Sequence, residues 1–252
     1  MNGILFWNLL AAHLCSDFLL QTDTLCREKR DRVFKSRWLY VHAVTAALVA
    51  GLFSWSGYAL CIALLTGITH FAIDGTKSWI ESKNDELSAS LNFCVFLIDQ
   101  CLHIGVIVGI SYLPCVADFV QFGFITEKYQ MLVPVIISAM ALCTTPANIV
   151  IKTVLKSNSI PARNAITQKG ELEKDVQPEF NGGALIGSFE RLLSLLLILI
   201  GQYEAVGFVI AAKSLLRFKD SDGVQTEYVL VGTLLSYCIV FGIAESIKFF
   251  FM

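Results

Sequence analysis

Four histidines occur in the chain, and three of them have an aspartate four residues away: His13 with Asp17, His70 with Asp74, and His103 with Asp99. On a helix, positions i and i+4 share one face a turn apart, so each pair can aim an imidazole nitrogen and a carboxylate oxygen at one point. Chance accounts poorly for the pattern. With ten aspartates in 252 positions, a given histidine has one four residues away on either side about 8% of the time, and three of four do so by accident in roughly 0.2% of chains.

Imidazole nitrogens combined with carboxylate oxygens are the ligand chemistry of divalent transition metals, zinc first, with manganese or iron as alternatives. Seven candidate ligands are present: His13, Asp17, His42, His70, Asp74, Asp99 and His103. One tetrahedral zinc needs fewer, so the surplus implies either carboxylates that orient the histidines or two ions bridged by an aspartate. Asp17, Asp74 and Asp99 are also the candidate catalytic groups, because one of them could act as general base on a water. The same residues would serve a proton or cation relay. Gln21, one turn beyond Asp17 on the same face, and Lys77, just after Asp74, are candidate neighbours; Lys77 suits an anionic head group or phosphate.

The elements that must position these residues are set by hydropathy. The chain is 55% hydrophobic and 16% charged with a mean hydropathy of +0.64, whereas soluble domains are about a quarter charged. Apolar residues fall in blocks of the length that crosses a hydrocarbon core of about 30 Å. The predicted fold is therefore all-α, a polytopic membrane helical bundle of about eight transmembrane helices, near 3 to 22, 38 to 55, 58 to 79, 91 to 113, 131 to 154, 184 to 201, 203 to 218 and 227 to 250. Residues Met1 to Leu20 lack the basic start and cleavage site of a signal peptide and are read as a retained span. Secreted disulfide scaffolds and nucleotide-binding sheets are excluded, as are nucleic-acid readers, given a formal net charge of −2. Cys15, Cys61, Cys94, Cys101, Cys143 and Cys238 lie in apolar runs without a C-x-x-C pair and read as packing residues.

Lysine and arginine give the orientation. The first loop carries Arg27, Lys29, Arg30, Arg32, Lys35 and Arg37, and later alternate loops are also basic, whereas the loops between them carry almost none. The basic loops are predicted to be cytoplasmic and the amino terminus outside. Spans one and three then read His before Asp on the way in, span four reads Asp before His on the way out, and His42 enters at the same level. All seven groups fall in one layer near the cytoplasmic face. The expected organisation is a four-helix His/Asp bundle at 1–115, an outer loop and fifth span at 116–156, a cytoplasmic linker at 157–183, and carboxy-terminal helices at 184–252. In that last part Glu190, Arg191 and Lys213 are ionisable residues inside spans; Glu190 with Lys213 is the pair predicted to meet.

The segments HLCSDFLLQT at 13 to 22, the isolated His42, HFAID at 70 to 74 and DQCLH at 99 to 103 resemble the bacterial integral-membrane family catalogued as domain of unknown function 3307. GSFERLL at 187 to 193, GQYEAVGFVIAAKSLLRFKD at 201 to 220 and EYVLVGTLLS at 227 to 236 resemble the extension often carried by its members. The resemblance implies a bacterial inner-membrane location but supplies no activity. More remotely, the His and Asp pattern is similar to that of inner-membrane metal-dependent hydrolases. The sequence thus points first to an intramembrane metal-dependent hydrolase acting on a lipid or lipid-linked ester near the cytoplasmic leaflet, with one or two ions. The alternatives are a metal-ion or proton transporter using the same layer, and a non-catalytic sensor or anchor. The bilayer, a lipid substrate and a second copy of the chain are the expected partners.

Overall fold

The computed structural model describes residues 2–83, 89–113, 127–157, 182–217 and 223–251. Among them the regular elements are helices: α1 (Gly3–Phe18), α2 (Asp23–Arg32), a short 3-10 turn (Val33–Lys35), α3 (Arg37–Ser54), α4 (Ala59–Lys83), α5 (Ala89–Ser111), α6 (Glu127–Leu142), α7 (Thr145–Ser157), α8 (Gly182–Leu199), α9 (Tyr203–Arg217) and α10 (Gly223–Phe251). The predicted linker at 157–183 and the outer loop beginning at 116 fall almost wholly outside the described residues.

Among the described residues six segments are long and apolar enough to cross a membrane: Arg37–Ser54, Ala59–Lys83, Ser90–Ser111, Tyr129–Lys156, Gly182–Leu199 and Val229–Phe251. The first and seventh predicted spans are helical but shorter. α1 has 16 residues and α9 has 15, which at 1.5 Å per residue reach about 24 Å and 23 Å, less than a hydrocarbon core. α1 starts where the Asn2 side chain accepts the Leu5 amide at 3.1 Å, capping an orphan donor, and ends at Phe18. The turn between α8 and α9 is made by Gly201 at φ +80°, a conformation that suits glycine.

The chain forms two compact units, Met1–Ala141 and Leu142–Met252. In the first, α3 and α4 form an antiparallel hairpin with close backbone approach. A Cβ on Gly67 would lie 2.9 Å from the Ala47 Cβ, and one on Gly51 would lie 3.2 Å from that of Ala63. Small residues at such a seam let helices pack through dispersion where lipid offers no hydrophobic drive. Leu5, Leu9, Ala50, Ile62, Ile107 and Ile110 from α1, α3, α4 and α5 form a buried apolar core. Large side chains on the same helices, such as Leu48, Leu52, Leu60 and Ile68, face outward, as expected of a bundle solvated by lipid.

The cysteines correct the sequence reading. Among the described cysteines only Cys143 is buried and Cys15 is partly so, while Cys61, Cys94, Cys101 and Cys238 are exposed. They lie on the outer faces of the helices, because an apolar run in a membrane bundle has an outer face as apolar as its inner one.

α2 differs from its neighbours in being polar, and it packs with the following 3-10 turn against α3 and α4. Phe34 lies where Gly75 has no side chain: a Cβ there would be 2.6 Å from Phe34 Cε1. Val33, where α2 passes into the turn, has φ +47°, a costly conformation for a β-branched residue that persists only where its surroundings hold it. Gly75→Ala is therefore expected to lever Phe34 off α4 and free this segment. Trypsin cleavage of the detergent-solubilised protein between Arg27 and Arg37 should accelerate several-fold, whereas Gly57→Ala, where a Cβ meets open space, should leave it unchanged.

Candidate metal centre

Each of the four inward helices carries the site on the same stripe as the apolar core. α1 reads Leu5, Leu9, His13, Asp17 and α4 reads Ile62, Thr66, His70, Asp74 at steps of four; α5 runs in the opposite sense as Asp99, His103, Ile107, and α3 as His42, Ala46, Ala50. Packing the apolar ends against one another therefore brings the polar ends together. His13, His42, His70, Asp74, Asp99 and His103 are all buried, His70 at 2% exposure, and the Asp17 side chain is nearly as enclosed.

The tightest set has four members. His42 Nε2 and His70 Nε2 are 2.9 Å apart. Asp17 Oδ1 lies 3.5 Å from the first and 3.3 Å from the second, and Asp74 Oδ2 lies 3.5 Å from His42 Nε2. An ion with four ligands at about 2.0 Å separates its ligand atoms by about 3.3 Å, so these spacings match. Hydrogen bonding alone explains them poorly, because the two Nε2 atoms and Asp17 Oδ1 form a triangle that two shareable protons serve only in part. The four donors are the imidazole and carboxylate types that hold zinc, manganese or iron.

A second set is formed by Asp74, Asp99 and His103. His103 Nε2 lies 4.0 Å from Asp74 Oδ1, and the His103 ring packs 4.3 Å from that of His70 and 4.7 Å from that of His13, centroid to centroid. His13 sits between the sets, with Nδ1 3.6 Å from Asp17 Oδ1 and Nε2 3.3 Å from Gln100 Oε1. A small cavity lined by His13, His70 and His103 with Leu9, Thr66 and Val106 adjoins them on the apolar side.

Two residues that complete this site were missed in the sequence. Lys29, only 5% exposed, reaches in from α2 and donates to Asp74 Oδ2 at 2.6 Å. As one of six basic residues in a loop it carries no signal of its own, because burial is decided by how α2 docks. Gln100 donates to Asp99 Oδ2 at 3.0 Å, and its position beside Asp99 was the available hint. Lys77 also donates to Asp99 Oδ2, at 2.9 Å, so it holds a site carboxylate in this structure. Gln21 stands apart from these groups. α1 ends at Phe18, so the helical register that would align Gln21 with Asp17 is lost, and its amide contacts Cys26 Sγ instead.

Glu190, Arg191 and Lys213 belong to the second unit. Lys213 donates to Glu190, joining α9 to α8. Arg191, 2% exposed, donates from Nε to the Cys143 carbonyl at 2.6 Å, from Nη1 to Ser236 Oγ at 3.2 Å, and from Nη2 to Asn148 Oδ1 at 2.6 Å. It ties the break between α6 and α7 to α8 and α10. Its acceptors are all neutral oxygens, which makes it a packing device.

A family model described as protein of unknown function (DUF3307) matches residues 5–132, half of the chain. The chain belongs to that family, and the matched stretch contains both sets of candidate ligands together with Lys29, Lys77 and Gln100. No curated protein and no solved structure matches. The buried Lys29–Asp74 pair gives the site a measurable dependence. In chelator-treated protein, Lys29→Met leaves Asp74 buried without its ammonium and should cost about 3–5 kcal/mol, read as a lower unfolding midpoint. Lys29→Met combined with Asp74→Asn should recover a large part of that loss.

Proposed function

We propose that this member of the DUF3307 family is an integral membrane metal-binding protein, specifically a metal-dependent hydrolase acting on a lipid or lipid-linked ester at the cytoplasmic leaflet of the bacterial inner membrane. In this reading α1 and α9 complete an eight-pass topology with the amino terminus outside. The observation that carries it is the set Asp17 Oδ1, His42 Nε2, His70 Nε2 and Asp74 Oδ2, four buried donors from three helices spaced as ligands of one ion.

A divalent ion, with zinc first among the candidates, would supply Lewis acidity to an ester carbonyl or phosphoryl oxygen. The chain's own residues supply the rest. Lys29 holds and orients the Asp74 carboxylate, as the outer partners of metal ligands commonly do. The second oxygen of Asp17 lies outside the four-donor set and would be the general base that accepts a proton from an attacking water. The apolar core built on Leu5, Leu9, Ile62 and Ile107 closes the bundle on one side of the histidines and keeps bulk water from reaching them from that side.

Lipid as the substrate class is supported by the cover of the site. Arg27, Arg30, Arg32, Lys35 and Arg37 are exposed on α2, the turn after it and the start of α3, with Phe34 and Tyr40 also exposed among them. Basic residues interleaved with aromatic ones suit an interface with anionic head groups. A transport route would need polar groups continuing beyond the histidine layer. Among the described residues the four stripes continue there mainly with leucine, isoleucine and alanine, which favours a one-sided site.

Purification in metal-replete detergent followed by elemental analysis tests the proposal directly. At least one transition-metal ion per chain is expected, with a loss of tenfold or more in affinity for the tightest-bound ion in His70→Ala. Absence of stoichiometric metal in the folded wild type sinks the reading. Hydrolysis of a phospholipid or ester-lipid panel in proteoliposomes should require the metal, whereas accumulation of labelled metal ions inside them would favour transport.

A further inference from the structure

Within the reading that this cluster binds metal, we infer that it holds two ions, the second at Asp74 Oδ1, Asp99 Oδ1 and His103 Nε2, with Asp74 as the bridging carboxylate.

Two orphaned atoms mark the second position. Asp99 Oδ1 and His103 Nε2 are buried and have no hydrogen-bond partner, on residues only 3% and 4% exposed. Leaving a buried acceptor unpaired costs about 1–3 kcal/mol, and more when the group is charged. Two such atoms, on residues that with Asp74 bring ligand atoms within 4.8 Å of one another, therefore call for a common partner, and both are lone-pair donors.

Their neighbours fix them in that state. Lys77 and Gln100 both donate to Asp99 Oδ2, which satisfies one oxygen and leaves Oδ1 turned toward His103. The His103 Nδ1–H donates to the Asp99 backbone carbonyl at 2.9 Å, so Nε2 is the unprotonated nitrogen of the neutral ring. This is how outer partners set a metal-binding histidine's tautomer and ring angle. The first set has its own pair of imidazoles and does not use either atom.

Asp74 links the two sets through its different oxygens. Oδ2 lies 3.5 Å from His42 Nε2, and Oδ1 lies 4.0 Å from His103 Nε2. A carboxylate so placed can bridge ions about 3.5–4 Å apart, the separation used by paired-metal hydrolytic sites. The one other simple occupant of the second position is a water hydrogen-bonded to both orphaned atoms, and stoichiometry distinguishes the two.

Wild-type protein, Asp99→Asn and His103→Asn would each be stripped, reloaded with manganese(II), desalted and measured for bound metal and by electron paramagnetic resonance. Two ions per chain with an exchange-coupled signal are expected in the wild type. One ion with an isolated six-line signal is expected in each variant; having two variants guards against one failing to fold. A single uncoupled ion in the wild type, unchanged in both variants, overturns the second site and leaves the first standing. Two ions retained in both folded variants overturn its location, and no bound metal in folded wild type overturns both readings.

Discussion

Three carboxylates enclosed between four apolar helices are the constraint on which the first unit depends. An ionised group withdrawn from water into a low-dielectric interior loses several kcal/mol even after relaxation unless partners replace its hydration. Asp74 and Asp99 are each held by a lysine ammonium on one oxygen, and Asp17 is surrounded by the imidazoles of His13, His42 and His70. This requirement explains why α2, a polar helix in an apolar chain, turns inward. Its Lys29 reaches a carboxylate that would otherwise be bare on that side, and the strained Val33 and the close Phe34–Gly75 contact are the local means of keeping it there.

The same constraint explains the order of residues along each helix. The site is rigid because it extends a packed apolar stripe by one turn: Leu9 leads to His13 on α1, and on α5, which runs the other way, His103 leads to Ile107. A shift of one helix along its axis would unpack the leucine and isoleucine core before it moved the ligands far. Preorganised donors, held by packing and not by loops, are what a metal centre needs to fix geometry.

Much of this was legible in the sequence because it follows helical periodicity. The pairs at i and i+4 and the reversal to Asp before His on α5 are properties of a repeating backbone and of alternating helix direction. What was not legible depends on tertiary docking or on where a helix stops. Lys29 could not be told from Arg27 or Arg30, since only the seating of α2 on α4 buries one and exposes the others. Gln21 was aligned with Asp17 by a register that lapses at Phe18. Hydropathy marked α1 and α9 as apolar segments, but their lengths, 16 and 15 residues, are set by end-capping and turns that an apolar average does not see.

Arg191 supplies the comparison that separates a ligand site from a structural polar network. It too is a buried ion inside apolar helices, and a lone charge there would be costly. Yet each of its three nitrogens donates to a carbonyl, amide or hydroxyl oxygen, and Gly187 leaves room for it by having no side chain: a Cβ there would come within 3.3 Å of Nη1. That network is complete within the second unit and requires nothing from outside. The His/Asp cluster is built from similar groups at similar burial, but two lone-pair atoms remain unpartnered and four others crowd at ligand spacing. Leftover acceptor capacity, concentrated at one point and held open by neighbours that could have filled it, is the physical difference between a polar core that locks helices together and one shaped to receive a cation.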